Sequence, residues 1–321
     1  MKSKLPRKII IDTDPSPDDA AAFLMALGSP DELELLALTT VGGNVPLEQT
    51  TINTLKALEL IGRSDIPVYK GAKRPLRRDL ITAEHVHGGT GFDGYDLPEP
   101  TTSAANGFAP DKIVELVMEN EPNSITICAI APLTNIALAM QKEPRLAKRL
   151  QEIVLMGGAQ SEGGNVTPAA EYNIYVDPEA AEIIFTSGTP LTMIPLDCTH
   201  KALSTDARLD RLRARAVNAP YMEAFYHLLK FNRIHDQEKM DMDGGPLHDP
   251  TTIAYLLKPK IFKGKKVNVT ISTDYELTRG MTVIDWWGKM ELPINTNVLY
   301  DLDSEAYYNL VIERMTHAKG G

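Results

Sequence analysis

Cysteine is scarce in this chain of 321 residues: Cys128 and Cys198 are the only two, far apart and in apolar surroundings. They form no metal-type spacing and read as buried free thiols, which fits a cytoplasmic location. Long apolar runs are also missing, so no segment is suited to spanning a membrane. Ile9–Ile11 follows a basic start but is too short for the apolar region of a signal peptide. Positive charge is in deficit, with 33 Lys and Arg against 43 Asp and Glu and a net charge of −10. That balance argues against nucleic acid or an anionic membrane as partner. No low-complexity segment, internal repeat or linker interrupts the chain. The 43% hydrophobic and 24% charged shares are those of a soluble globular protein. The expectation is one domain over residues 1–321.

Negative charge is abundant, and it is concentrated. Asp12, Asp14, Asp18 and Asp19 fall within eight residues, directly after the apolar run Lys8–Ile11, which reads as a buried strand. Ionised carboxylates repel one another, so such a cluster is costly unless a cation neutralises it or a proton is retained. Pro15 and Pro17 end the strand, and Asp18 and Asp19 open a helix whose N-terminal dipole tolerates negative charge. An acidic helix cap needs one carboxylate, not four. A hard divalent cation held by oxygen ligands, Ca²⁺ or Mg²⁺ rather than zinc, is the simplest reason for the arrangement.

Strand and helix signals alternate along the chain, as in parallel βαβ units. Strands are predicted at Lys8–Ile11, Leu33–Val41, Pro67–Tyr69, Ser124–Ile130, Ile153–Met156 and Leu191–Pro195. Helices are predicted from Asp18, from Pro46 to Ile61, and over Pro110–Glu121, Pro132–Met140 and Pro178–Thr186. Residues 206–257 read as mainly helical with a break at 241–250. Two later strands, Val267–Ser272 and Met281–Asp285, suit an antiparallel sheet edge, and Ser304–His317 is an amphipathic last helix. The fold class is therefore α/β, a three-layer α/β/α arrangement around a mostly parallel, Rossmann-like sheet. Ligands in such sheets bind outside the carboxyl ends of the strands. Here those ends carry Asp12–Asp19, Gly42–Asn44, Ile130–Pro132 and Met156–Gly158.

Three further polar clusters stand out. Asp249 precedes Pro250 and is either a helix cap or a ligand, with His248 beside it. Asn165, Glu171 and Asn173 can hydrogen-bond a polyhydroxylated ligand or satisfy a turn. His85 and His87 lie in a glycine-rich stretch, residues 71–107, too long for a plain connection and therefore functional. No Cys or third His is placed to complete a zinc site with them.

Read together, these segments resemble the inosine-uridine-preferring nucleoside hydrolase family over essentially the whole chain. The signature DTDPG-x-DDA appears as Asp12-Thr13-Asp14-Pro15-Ser16-Pro17-Asp18-Asp19-Ala20. The family's GN element matches Gly43-Asn44, PLTN matches Pro132–Asn135, and MGG matches Met156–Gly158. The GN-x-TP-x-AE-[FY]-N block matches Gly164–Asn173, and HDP matches His248–Pro250. Six elements in the family's order make the likeness specific.

The resemblance implies a nucleoside hydrolase architecture and a Ca²⁺ enzyme that cleaves the N-glycosidic bond of ribonucleosides, working as a homodimer or homotetramer. Asp14, Asp19, Asp249 and the backbone carbonyl of Ile130 would be metal ligands. Asp18 would deprotonate the attacking water, Asn44 would orient water and ribose, and His248 would assist departure of the base. Asn165, Glu171 and Asn173 would hold the ribose, with Met156 packing near the sugar, Asp12 in support and His87 in a loop closing over the base. The segment Tyr221–Met240, with Tyr221, Tyr226, His227 and His235, would form either a flap facing the base or a helix with its aromatics in the core. One departure is plain: Ser16 replaces the signature glycine, which is strained if that position has a positive φ and harmless if the glycine serves only close approach. Pro17 stiffens the same loop. A phosphotransferase of the haloacid dehalogenase type also has Asp-x-Asp after its first strand, but Pro15 stands where that pattern needs Thr or Val. A non-catalytic ribose- or calcium-binding homologue would need neither Asp18 nor His248.

Overall fold

The computed structural model describes residues 5–216 and 219–318, apart from the side chains at 235, 236, 239 and 240. The apolar run after the basic start forms β1 (Arg7–Thr13), and α1 (Pro17–Leu27) follows the acidic loop. Then come β2 (Leu33–Thr40), α2 (Leu47–Ile61), β3 (Val68–Lys70), the single turn α3 (Glu84–His87), α4 (Ala109–Glu119) and β4 (Ile125–Ala129). The middle of the chain holds α5 (Thr134–Lys142), α6 (Leu146–Arg149), β5 (Glu152–Met156), α7 (Tyr172–Val176), α8 (Pro178–Thr186) and β6 (Leu191–Ile194). Next are α9 (Leu196–Thr199), β7 (Leu203–Ser204), α10 (Asp206–Arg215), α11 (Tyr221–Met240), β8 (Gly245–Pro246) and α12 (Pro250–Leu257). Then β9 (Phe262–Ile271), β10 (Thr282–Asp285), β11 (Thr296–Leu302) and α13 (Ser304–Met315) complete it.

Nine strands form one sheet in the order β10-β9-β11-β6-β5-β4-β1-β2-β3, and β7 pairs with β8 in a small ribbon. From β3 to β11 neighbouring strands are parallel, whereas β9 runs antiparallel to both β11 and β10. The antiparallel edge is as the sequence predicts. However, β11 is an addition to the predicted strands: Thr296–Leu302, with Val298, Leu299 and Leu302 buried, inserts between β6 and β9. Short elements inside the predicted loops, α3 and α7, were likewise below the length that periodicity detects.

Side chains of β1 alternate between two cores, as strand geometry requires. Ile9 and Ile11 pack with α1, α2, α12 and α13 on one face; Ile10 packs with α4, α5 and α8 on the other. The result is the expected α/β/α sandwich with a large, mostly parallel sheet. Helix α1 is buried along its whole length, which fixes the acidic loop before it against the sheet.

Candidate active site

The parallel register brings the carboxyl ends of β1, β2, β4 and β5 to one edge, with Asp12 paired to Thr39 on one side and Ala129 on the other. A cleft opens there. Its lining includes Ser16, Asp18, Asn44, Ile130 and Met156 from the strand ends, His87 from α3, and Asn165, Glu171 and Asn173 around α7. His248 and Asp249 close it from the segment before α12. All eleven of these residues were picked out in the sequence, and they line one cleft. Asp12, Asp14 and Asp19 lie just beneath, fully buried.

The floor is a set of buried carboxylates. Asp18, Asp19 and Asp249 each present an oxygen within 4.8 Å of the others. Burial, then repulsion from Asp18, pushes the Asp19 carboxyl up to about 7. Asp249 is driven well above the carboxylate range by burial, then by Asp18 and Asp19. The expected ligand Asp14 stands beside this trio rather than in it. Its Oδ2 accepts from the Asn44 backbone N–H at 2.7 Å, while Oδ1 is buried with no partner among the described residues. Asp12 is similar: Oδ1 accepts from Thr39 Oγ1 (2.5 Å) and Asn135 Nδ2 (2.8 Å), and Oδ2 is orphaned. Orphaned buried oxygens facing a knot of carboxylates are costly. An all-oxygen donor set of this kind fits a hard divalent cation.

The walls are ordered by backbone. Glu171 caps α7, with Oε1 accepting from Asn173 N–H (2.9 Å) and Oε2 from Gly158 N–H (2.9 Å) and Ile174 N–H (3.3 Å). Burial nevertheless pushes its carboxyl up to about 7. Asn173 Nδ2 donates to the Met156 carbonyl at 3.2 Å, and Asn165 Oδ1 accepts from Tyr172 N–H at 2.9 Å. His248 is half-buried, and desolvation of its ring lowers its pKa to about 4 despite the opposing pull of Asp18, which leaves the ring neutral at pH 7. Its Nδ1 lies 2.7 Å from Thr199 Oγ1.

Two questions left open by the sequence are answered here. Ser16 has φ −109° and ψ 178°, an extended cap conformation that carries no strain for serine. In α11, Tyr221 and Tyr226 belong to the core: the Tyr221 hydroxyl donates to the Met315 carbonyl (3.0 Å), and Arg213 lies over the Tyr226 ring at 4.7 Å. His227 stacks on Tyr95 at 5.7 Å. The His235 side chain lies outside the described residues. The α11 residue that reaches the cleft is Asn232, whose Oδ1 is 2.7 Å from His87 Nδ1. Neither it nor the lining residue Val166 carried a sequence signal, because each sits at an ordinary position of its segment, whereas Tyr172, also in the lining, fills the aromatic position of the Gly164–Asn173 block.

Comparison with known proteins agrees with this geometry. The profile of the inosine-uridine preferring nucleoside hydrolase family matches residues 9–309. A pyrimidine-specific ribonucleoside hydrolase, RihA, from Photobacterium profundum is 45% identical, over 97% of this chain and 99% of its own length. The structure of a plant nucleoside hydrolase, PpNRh1, superposes with a TM-score of 0.91 at 37% identity, covering 97% of this chain and 99% of that one. A purine-preferring ribonucleoside hydrolase from Gardnerella vaginalis gives 0.90 at 31% identity, over 98% of this chain and 100% of that one. With the family's motifs gathered around one cleft and the likeness running from β1 to α13, the chain belongs to the inosine-uridine preferring nucleoside hydrolase family of enzymes.

Proposed function

We propose that the chain, acting as one domain over residues 1–321, hydrolyses the N-glycosidic bond of ribonucleosides to ribose and free base with Ca²⁺ as cofactor. The observation that carries this reading is the floor of buried carboxylates under a wall of amide, carboxylate and imidazole groups. When bound, Ca²⁺ would supply a fixed charge that holds the ribose 2′- and 3′-hydroxyls and makes a water more acidic. Asp14, Asp19, Asp249 and the Ile130 carbonyl are the residues to hold it.

Cleavage of an N-glycoside builds positive charge on the ribose. The floor carboxylates stabilise that charge more than the neutral substrate, which is the condition for rate acceleration. Asp18 lies at the cleft surface and takes the proton of the attacking water; a positioned base of this kind is worth about 10²–10⁴-fold. Asn44, held by its own bond from Nδ2 to the Asp14 carbonyl at 3.1 Å, orients water and sugar. Asn165, Glu171 and Asn173 grip the ribose hydroxyls beside Met156. Neutral His248, in the tautomer that accepts from Thr199 at Nδ1 and keeps its proton on Nε2, would hydrogen-bond the departing base, with His87 facing the base from α3. Relatives named for pyrimidine and for purine nucleosides leave both substrate classes within this reading. The substrate is a small molecule, with neither nucleic acid nor membrane as partner. A cytoplasmic homodimer or homotetramer is the accompanying expectation.

One observation favours a second assignment of two carboxylates. Asp18, not Asp14, completes the tight trio with Asp19 and Asp249. Asp18 would then be the ligand and Asp14, with its orphaned Oδ1, the base. The test is release of reducing sugar from uridine, cytidine, inosine, adenosine and guanosine, with Ca²⁺ and after EDTA. It is paired with calorimetric Ca²⁺ binding to Asp14→Asn and Asp18→Asn. In the first reading Asp18→Asn binds Ca²⁺ without turning over and Asp14→Asn loses Ca²⁺; the second reading reverses the two. Absence of turnover on every nucleoside with Ca²⁺ still bound would point instead to a binding homologue.

A further inference from the structure

His248 is held twice, through its backbone and through its ring. The ribbon of β7 and β8 pairs Leu203 with Pro246 and Ser204 with Gly245, which ties the segment before His248 to the one that follows α9. Leu247 closes the same link: its N–H donates to the Ala202 carbonyl at 2.9 Å, and its carbonyl accepts from the Tyr307 hydroxyl at 2.9 Å. A fixed backbone still leaves the ring free to turn about χ1 and χ2. Thr199, the last residue of α9, is fully buried, and its Oγ1 lies 2.7 Å from His248 Nδ1. Among the described residues that hydroxyl has no other partner. Its proton therefore goes to Nδ1, because a ring donating to Oγ1 would leave a buried hydroxyl proton without an acceptor. His200 does not compete: its ring lies 6.0 Å from that of His248, and its own Nδ1 is engaged with Glu162 Oε2 at 2.9 Å.

We infer that Thr199 is a positioning residue for departure of the base: its hydroxyl, donating to His248 Nδ1, fixes the rotation of the ring and keeps the ring proton on Nε2, the nitrogen left for the cleft. This rests on the reading of His248 as the group that assists the departing base. Which imidazole nitrogen carries the proton is set by the hydrogen bond that the other one makes. Without the hydroxyl the ring can turn over about χ2 or move its proton to Nδ1. Either change puts a C–H or a bare lone pair where the base needs a donor. When the C1′–N bond breaks, its electron pair goes to the base, and a donor at Nε2 counts most for a base that is unstable as an anion. It counts least for a leaving group that carries negative charge unaided.

The test compares Thr199→Val and Thr199→Ser with His248→Ala on uridine, inosine and 4-nitrophenyl β-D-ribofuranoside, all at saturating Ca²⁺. Thr199→Val, which keeps the shape and removes the hydroxyl, is expected to lower kcat on the two nucleosides roughly 10- to 100-fold. Its kcat on the nitrophenyl riboside, whose leaving group is stable as an anion, and its calorimetric Kd for Ca²⁺ should stay within about threefold. Thr199→Ser should recover most of the loss. Nitrogen-15 spectra of histidine-labelled protein read the tautomer without turnover. The His248 signals, identified by their loss in His248→Ala, should show a protonated Nε2 and a bare Nδ1 in the wild type and a mixture in Thr199→Val. Equal loss on all three substrates overturns the inference, since Thr199 would then serve only the fold. Loss of Ca²⁺ affinity in step with kcat overturns it as well, and so does wild-type kcat in Thr199→Val with His248→Ala impaired. Wild-type kcat on both nucleosides in His248→Ala instead removes the reading of His248 on which the inference rests.

Discussion

Gly43 stands so close to Asp14 that a Cβ on the glycine would lie 1.9 Å from Asp14 Oδ2. The constraint is one of space: the next residue, Asn44, must bring its N–H to that same oxygen. Gly43→Ala is therefore expected to push the Asp14 carboxylate out of place. The cost should be about 1–3 kcal/mol of stability from overpacking and at least roughly tenfold in Ca²⁺ affinity by calorimetry if Asp14 is a ligand. Unaltered Ca²⁺ binding in a folded Gly43→Ala protein would remove Asp14 from the ligand set.

Ca²⁺ should stabilise the fold itself. Burial holds Asp14, Asp19 and Asp249 above the usual carboxylate range, so the metal-free floor is a destabilised element. Ligand at a hundredfold its Kd adds about 2.7 kcal/mol, or roughly 5 °C in Tm for a chain of this size. Scanning calorimetry with Ca²⁺ and with EDTA checks this. Identical transitions in both would show that the floor keeps its protons rather than a metal.

Glu171 gives the metal-free protein a pH dependence of definite sign. Its folded-state carboxyl titrates at about 7, against an ordinary value of 4.5. Below pH 4.5 both folded and unfolded chains hold the proton. Between 4.5 and 7 the unfolded chain releases it while the folded chain keeps it, so stability falls as pH rises, and above 7 the loss is complete. The group accounts for about 3 kcal/mol over that window. Urea denaturation in EDTA at pH 4.5 and 7.5 should show a slope in the wild type that is shallower in Glu171→Gln. Equal slopes would show that the cap is ionised throughout.

Asn232 anchors His87 at 2.7 Å, linking the α11 helix to the turn that faces the cleft. Asn232→Leu removes the partner of a half-buried ring, worth about 1–2 kcal/mol or roughly tenfold in kcat/KM. Steady-state rates on uridine and inosine measure whether the loss depends on the base. Unchanged kcat/KM on both would place His87 outside the reaction.

Much of this site was legible in the sequence because its parts are contiguous motifs at strand ends. An apolar run followed by proline and acidic residues specifies strand, loop and helix locally, and a parallel sheet then carries Asp18, Asn44, Ile130 and Met156 to the same edge. The order of motifs named the family for the same reason. Tertiary structure decided what depends on distance and rotation. Strand β11 is last of the strands in the chain, and its place between β6 and β9 is set by long-range pairing with both. In α11 the rotation of the helix, set by packing of Tyr221 and Tyr226, turned Asn232 rather than the aromatics toward the cleft. Which carboxylates converge, Asp18 with Asp19 and Asp249 while Asp14 is drawn to the Asn44 amide, follows from side-chain hydrogen bonds across residues 30 apart or more. Local pattern determined the elements and their chemistry; long-range packing decided which atoms meet.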